Sequence, residues 1–147
     1  MSVKMFGFKE LTAELNNIEK RSSRGVRSAL LHGSEKIRDL AKQYAPVDEG
    51  NLEESIKVAQ EKDITNSGRS KYYVFVDENQ PAEGGKTVGF YATRMHEGDY
   101  RLGKGSQRKA DSSGLLVGRK FLERAMEDLE EEIKKDVEQN LERGVGH

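Results

Sequence analysis

Cysteine is absent from the chain, and so is tryptophan. The first absence excludes disulfide staples, thiolate metal ligands and a cysteine nucleophile. There are only three histidines, one of them the terminal His147, which leaves too few for a histidine-built metal centre. No apolar run approaches the roughly 20 residues needed to span a bilayer. The opening MSVKMFGFKE also lacks the apolar stretch of a secretory signal. These gaps lead to the expectation of a soluble chain made in the cytoplasm, without a membrane partner.

What is present is charge. Of 147 residues, 35% are charged and 34% hydrophobic, which suits one domain, 1–147, with a thin core and a large surface. A formal net charge of -1 excludes a globally basic nucleic-acid binder. The charge is unevenly placed, however. Residues 1–44 hold nine bases and five acids, whereas residues 121–143 hold nine acids and four bases. Basic early and acidic late surfaces can meet between subunits or within one, and the sequence leaves both open.

Phe8, Leu11, Leu15 and Ile18 recur at helical spacing, and Val26, Ala29, Leu30, Ile37, Leu40, Ala41 and Tyr44 continue it. The spacing predicts a short helix joined near Asn16-Asn17, or bent around Gly25, to a long one that Pro46 ends. Asp48-Glu49-Gly50 reads as a turn, with Asn51 capping one short helical turn. The period then changes to two. Ile56 and Val58, then Tyr72, Val74 and Val76, then Val88 and Phe90 predict three strands of an antiparallel meander. Leu122, Met126, Leu129, Ile133, Val137 and Leu141 predict a final helix closed by Gly144 and Gly146. Between sheet and helix, 98–117 shows no period and predicts a long flexible loop, a length that usually carries function. The predicted class is α+β: two N-terminal helices (one long), a small antiparallel sheet of three to four strands, a long loop and a C-terminal helix packed on one sheet face.

Two motifs invite chemistry and fall short of it. In MHEGDYRLGKGS, from Met95 to Ser106, Gly98 and Gly103-Lys104 approach a phosphate-binding loop. Gly105 stands where that loop needs Ser or Thr, and residues 105–114 lack the apolar period of the helix the loop must open. His96-Glu97 has neither further ligands nor a paired nucleophile in view. No catalytic residue, metal site or cofactor is therefore expected. Residues 99–120 carry six bases against two acids. One reading is a nucleic-acid-binding loop over 101–120 that tracks a phosphate backbone. The other, which explains the acidic helix as well, is contact with a neighbouring subunit through Tyr100, Arg101, Lys104, Arg108 and Lys109.

The order of short motifs is informative. Phe8-Lys9-Glu10-Leu11, Ala45-Pro46 with Gly50, Leu52 with Ser55-Ile56, Tyr91-Ala92, His96-Glu97-Gly98, and Lys120-Phe121-Leu122 with Ala125 succeed one another along the chain. From about Phe6 to Leu141 this resembles the tail-completion and head–tail joining proteins of long-tailed bacteriophages. The resemblance implies a structural virion protein rather than an enzyme, assembled in the host cytoplasm and resident in the neck or tail. It implies a ring, typically hexameric, that meets a head-closure or connector protein on one side and tail-tube or terminator proteins on the other, with DNA only as channel contents. Under it, Pro46 and Gly50 set the exit from the long helix into the sheet, Glu97 and Gly98 launch the loop, and Phe121 and Leu122 anchor the last helix against the sheet.

Overall fold

The computed structural model describes residues 2–6, 10–15, 23–47, 51–61, 70–97 and 102–145. Two strands, β1 (Ser2–Phe6) and β2 (Glu10–Leu15), precede the long helix α1 (Ser23–Tyr44). A single helical turn, α2 (Asn51–Glu54), leads into β3 (Ile56–Glu61) and β4 (Ser70–Val76). Three helices complete the chain: α3 (Gly89–Glu97), α4 (Lys104–Ser113) and α5 (Phe121–Val145). The architecture is α+β, and its strands lie in the order β1-β2-β4-β3 with every neighbouring pair antiparallel.

α1 and α5 form where the apolar stripes place them. α1 stops at Tyr44, two residues before the buried Pro46. β3 and β4 likewise obey the period of two, paired Ile56 to Val76 and Val58 to Val74. Tyr72, Val74, Val76 and Ile56 are buried beneath α1 together with Leu30, Ile37 and Ala41. Each such aliphatic side chain contributes about 1.5–3 kcal/mol when removed from water. Tyr73 and Phe75 alternate to the opposite face and are half-buried.

Several expectations are corrected. The short first helix is instead strand β2, because the Leu11-to-Leu15 step of four fits a strand face as well as a helix face, and pairing with β4 decides. Phe8, Ile18 and the Asn16-Asn17 joint lie outside the described residues, as does the Asp48-Glu49-Gly50 turn. The third meander strand does not form. Val88 and Gly89 are tied back to Gln80 and Glu78 by backbone bonds of 2.9 and 3.0 Å, and the chain then enters α3. A Cβ on Gly89 would stand 2.9 Å from the Glu78 Cβ, so that close return needs glycine. Finally, residues 104–113 of the expected structureless segment are helical. α5 also departs in detail: it lies mainly along α1, meets the sheet at β2, and runs through Gly144 to Val145.

α5 runs antiparallel to α1. Gly33 faces Ile133, and Lys36 pairs with Glu132 at 2.9 Å. Tyr44 donates its hydroxyl hydrogen bond to Asp128. Part of the opposite charge on the two segments is thus neutralised inside the subunit, where the Glu132 carboxylate holds Lys36 above its ordinary pKa.

Candidate assembly surface

Two motif pieces far apart in sequence meet where α3 ends and α5 begins. Val88, Ala92 and His96 recur at steps of four and are fully buried. The His96 ring stands edge-on to Phe121, with centroids 4.9 Å apart and planes at 80°, a geometry that aromatic quadrupoles favour. Lys120 donates its backbone N–H to the His96 carbonyl at 2.7 Å from a left-handed backbone, φ 58°. Its ammonium group pairs with Glu97 and lies 3.6 Å from Glu123. His96 Nδ1 lies 2.9 Å from Glu97 Oε1. An ionised carboxylate only accepts, so Nδ1 carries the proton.

Electrostatics match that geometry. Lys120 holds the Glu97 carboxyl below its usual range, and Glu97 in return raises Lys120. Burial pushes the His96 pKa below its ordinary value and outweighs the opposing pull of Glu97. Below about pH 6.5 the unfolded chain therefore takes up a proton that the folded chain refuses. Stability is expected to fall on acidification from pH 7 to 5.5, by at most about 1.4 kcal/mol per pH unit over that window. Urea unfolding of the native chain and of His96→Phe at both pH values checks this. An equal pH response in the two proteins would show that His96 is not the group responsible.

The second construction is α4, which clamps the end of α1. Lys109 Nζ donates to the carbonyls of Lys42 and Ala45, the latter at 2.7 Å, and pairs with Glu53 of α2 at 2.6 Å. An ammonium group at a helix C-terminus satisfies stranded carbonyls and opposes the negative end of the helix dipole. Ser106 is buried, and its Oγ accepts the Val47 N–H at 2.9 Å. Gly105 lies against Val47, where a Cβ would stand 3.4 Å from Cγ1. Gly118 donates to the Tyr44 carbonyl at 2.8 Å. Arg124 then gathers the turn into α5: it donates to the carbonyls of Leu116 at 2.7 Å and Arg119 at 3.0 Å while its guanidinium lies 4.6 Å over the Tyr44 ring. The Asp128 bond and burial raise the Tyr44 hydroxyl pKa.

Residues 9–94, more than half of the chain, match a family model described as "Bacteriophage HK97-gp10, putative tail-component". The chain belongs to this family. No curated protein and no solved structure gives a significant match. The matched span of this tail-component family member ends within α3, so α4 and α5 lie beyond it.

Against the expected sites, the placement is mixed. Glu97, Phe121 and Leu122 come together in the α3–α5 joint, the last two fully buried. Lys104 and Arg108 are exposed on α4. Lys109 is turned inward and engaged within the subunit. Gly50, Gly98, Tyr100 and Arg101 lie outside the described residues. The GKGS near-miss does open a helix, contrary to the lack of apolar period, but Ser106 already holds Val47 and Gly105 carries no hydroxyl. Sequence reasoning missed the set of Tyr44, Arg124 and Asp128, of which only Tyr44 stands out in the sequence, as a member of the apolar stripe. Among the described residues, no group of three or more His, Asp or Glu is placed to hold a metal ion, and no helix is long and apolar enough to cross a membrane.

Proposed function

We propose that this chain is a structural subunit that closes into a ring, hexameric, at the head–tail junction of a tailed bacteriophage. It acts through protein–protein contacts with its own copies, with a head-closure or connector protein and with tail-tube or terminator proteins. The observation that carries the reading is membership of a phage tail-component family over residues 9–94. That membership supports a place in the virion and a structural role. The order of motifs through Leu141 supports the finer placement at the neck, with 1–147 acting as one assembly domain.

Surface chemistry favours the same reading. Lys104 and Arg108 stay exposed on α4, while Glu127, Glu131 and Glu138 lie exposed on the side of α5 away from the core. Unlike surfaces on one chain permit head-to-tail contacts, which close into rings when the rotation allows. Deleting the gene should leave filled heads and finished tails accumulating separately, and negative-stain images of the purified chain should show rings. Normal joining of heads to tails in the deleted phage would overturn the assignment.

A further inference from the structure

Among the residues whose side chains are described, Leu116 is the most exposed large apolar one, at 75%. Single exposed leucines are ordinary, but this one sits on backbone held from both sides. Gly114 closes α4 by donating to the Ala110 carbonyl at 2.9 Å, and Ser113 Oγ accepts the Leu115 N–H at 3.2 Å. Arg124 grips the Leu116 carbonyl itself, and Val117 beside it is buried. A knob already ordered in this way loses little conformational entropy when a partner covers it.

A matching hollow lies on the other side of the molecule. Tyr73, Phe75 and Ala59, on the sheet face turned away from α1, line a groove of about 430 Å³ that ends at Asp77, Glu78 and Asn79. α1 covers the opposite face of these strands, and Leu116 sits on the helical side, where it is bonded to α5. Knob and groove are thus turned away from each other within one chain. We propose that Leu116 of one copy seats in the Tyr73–Phe75 groove of a second copy, a head-to-tail contact that repeats around the ring.

Shape and charge agree on that occupant. An aliphatic knob meets aromatic walls, the composition in which interface hot spots concentrate. Lys104 and Arg108 are exposed on the helix before the knob, whereas the groove ends at Asp77 and Glu78 with Lys57 paired to Asp77 at 2.7 Å, two acids against one base. That pairing of signs orients the encounter and disfavours the reversed one. The inference rests on the ring reading and gives it specific residues.

Because the chain has no cysteine, the contact can be tested by site-directed cross-linking. Full-length Leu116→Cys and Ala59→Cys chains, both altered at exposed positions, are mixed and treated with a short bismaleimide. The mixture should give cross-linked dimer well above either chain alone, and above Ala59→Cys mixed with Leu31→Cys on α1. Leu116→Asp should weaken self-association about tenfold or more with an unchanged circular dichroism spectrum. Rings in the microscope without excess cross-linking would overturn this contact and leave the ring standing. Excess cross-linking without closed rings would support the contact and overturn the ring. Absence of both would overturn the two together, and a preference of Leu116→Cys for itself would mean a two-fold contact, which also overturns the proposal.

Discussion

Phe121→Ala is expected to cost about 3–5 kcal/mol of stability, a large share of the roughly 5–15 kcal/mol that holds a typical domain together. Phe121 is fully buried at the first residue of α5, with its ring against the edge of His96. Truncation removes the apolar area and leaves a cavity that the joint is poorly able to collapse into. The Lys120 N–H bond to His96 and the Lys120–Glu97 pair hold the two helix ends at a fixed separation. Urea unfolding should show a much lower midpoint with little change in slope. Phe121→Leu should recover a good part of the loss, since it refills volume without restoring the edge-on ring contact. A cost below about 1 kcal/mol for the alanine variant would mean that α3 and α5 are not locked through this residue.

The joint also illustrates what the sequence reveals and what it hides. His96-Glu97 and Lys120-Phe121-Leu122 are both visible as motif pieces, but Lys120 comes 23 positions after Glu97 and no local pattern announces that they touch. α1, α5, β3 and β4 are legible because apolar burial alone positions them, so their periods survive in the sequence. β2 reads as a helix because a step of four between two leucines satisfies both periods. Val88, just before α3, and Ala92 and His96 within it do form a helical stripe, but one member is a histidine and the neighbouring Phe90 and Tyr91 look strand-like. α4 is the hardest case. It docks through Ser106 and Lys109, polar groups that satisfy the end of α1, so no apolar period exists to be found. The same fact changes what the basic residues mean: Lys109 serves the fold, whereas Lys104 and Arg108 stay exposed. Leu116 gives no signal at all, since a lone leucine after Gly114-Leu115 reads equally well as core.

Gly33→Leu should be at least as damaging, at about 3 kcal/mol or more, and it tests how closely the two long helices approach. A Cβ built on Gly33 falls 2.8 Å from Ile133 Cγ1 and 3.1 Å from its Cδ1, and Ile133 is itself buried. Even Gly33→Ala must displace that side chain. Its helix-propensity gain of about 1 kcal/mol is therefore set against a steric cost of similar size. Leucine has no such balance and would have to push α5 away from α1 at the middle of their contact. Gly25 provides the control on the same helix. There the nearest atom to an added Cβ is Asn140 Oδ1 at 2.9 Å, the far end of a polar side chain that can rotate away. Gly25→Ala should accordingly be neutral or slightly stabilising, Gly33→Ala close to neutral, and Gly33→Leu severely destabilising in thermal melts. If Gly33→Leu melted with the native chain, α1 and α5 would not meet at this distance. Lys36–Glu132 and Tyr44–Asp128 would then need another explanation, because both depend on the same antiparallel approach.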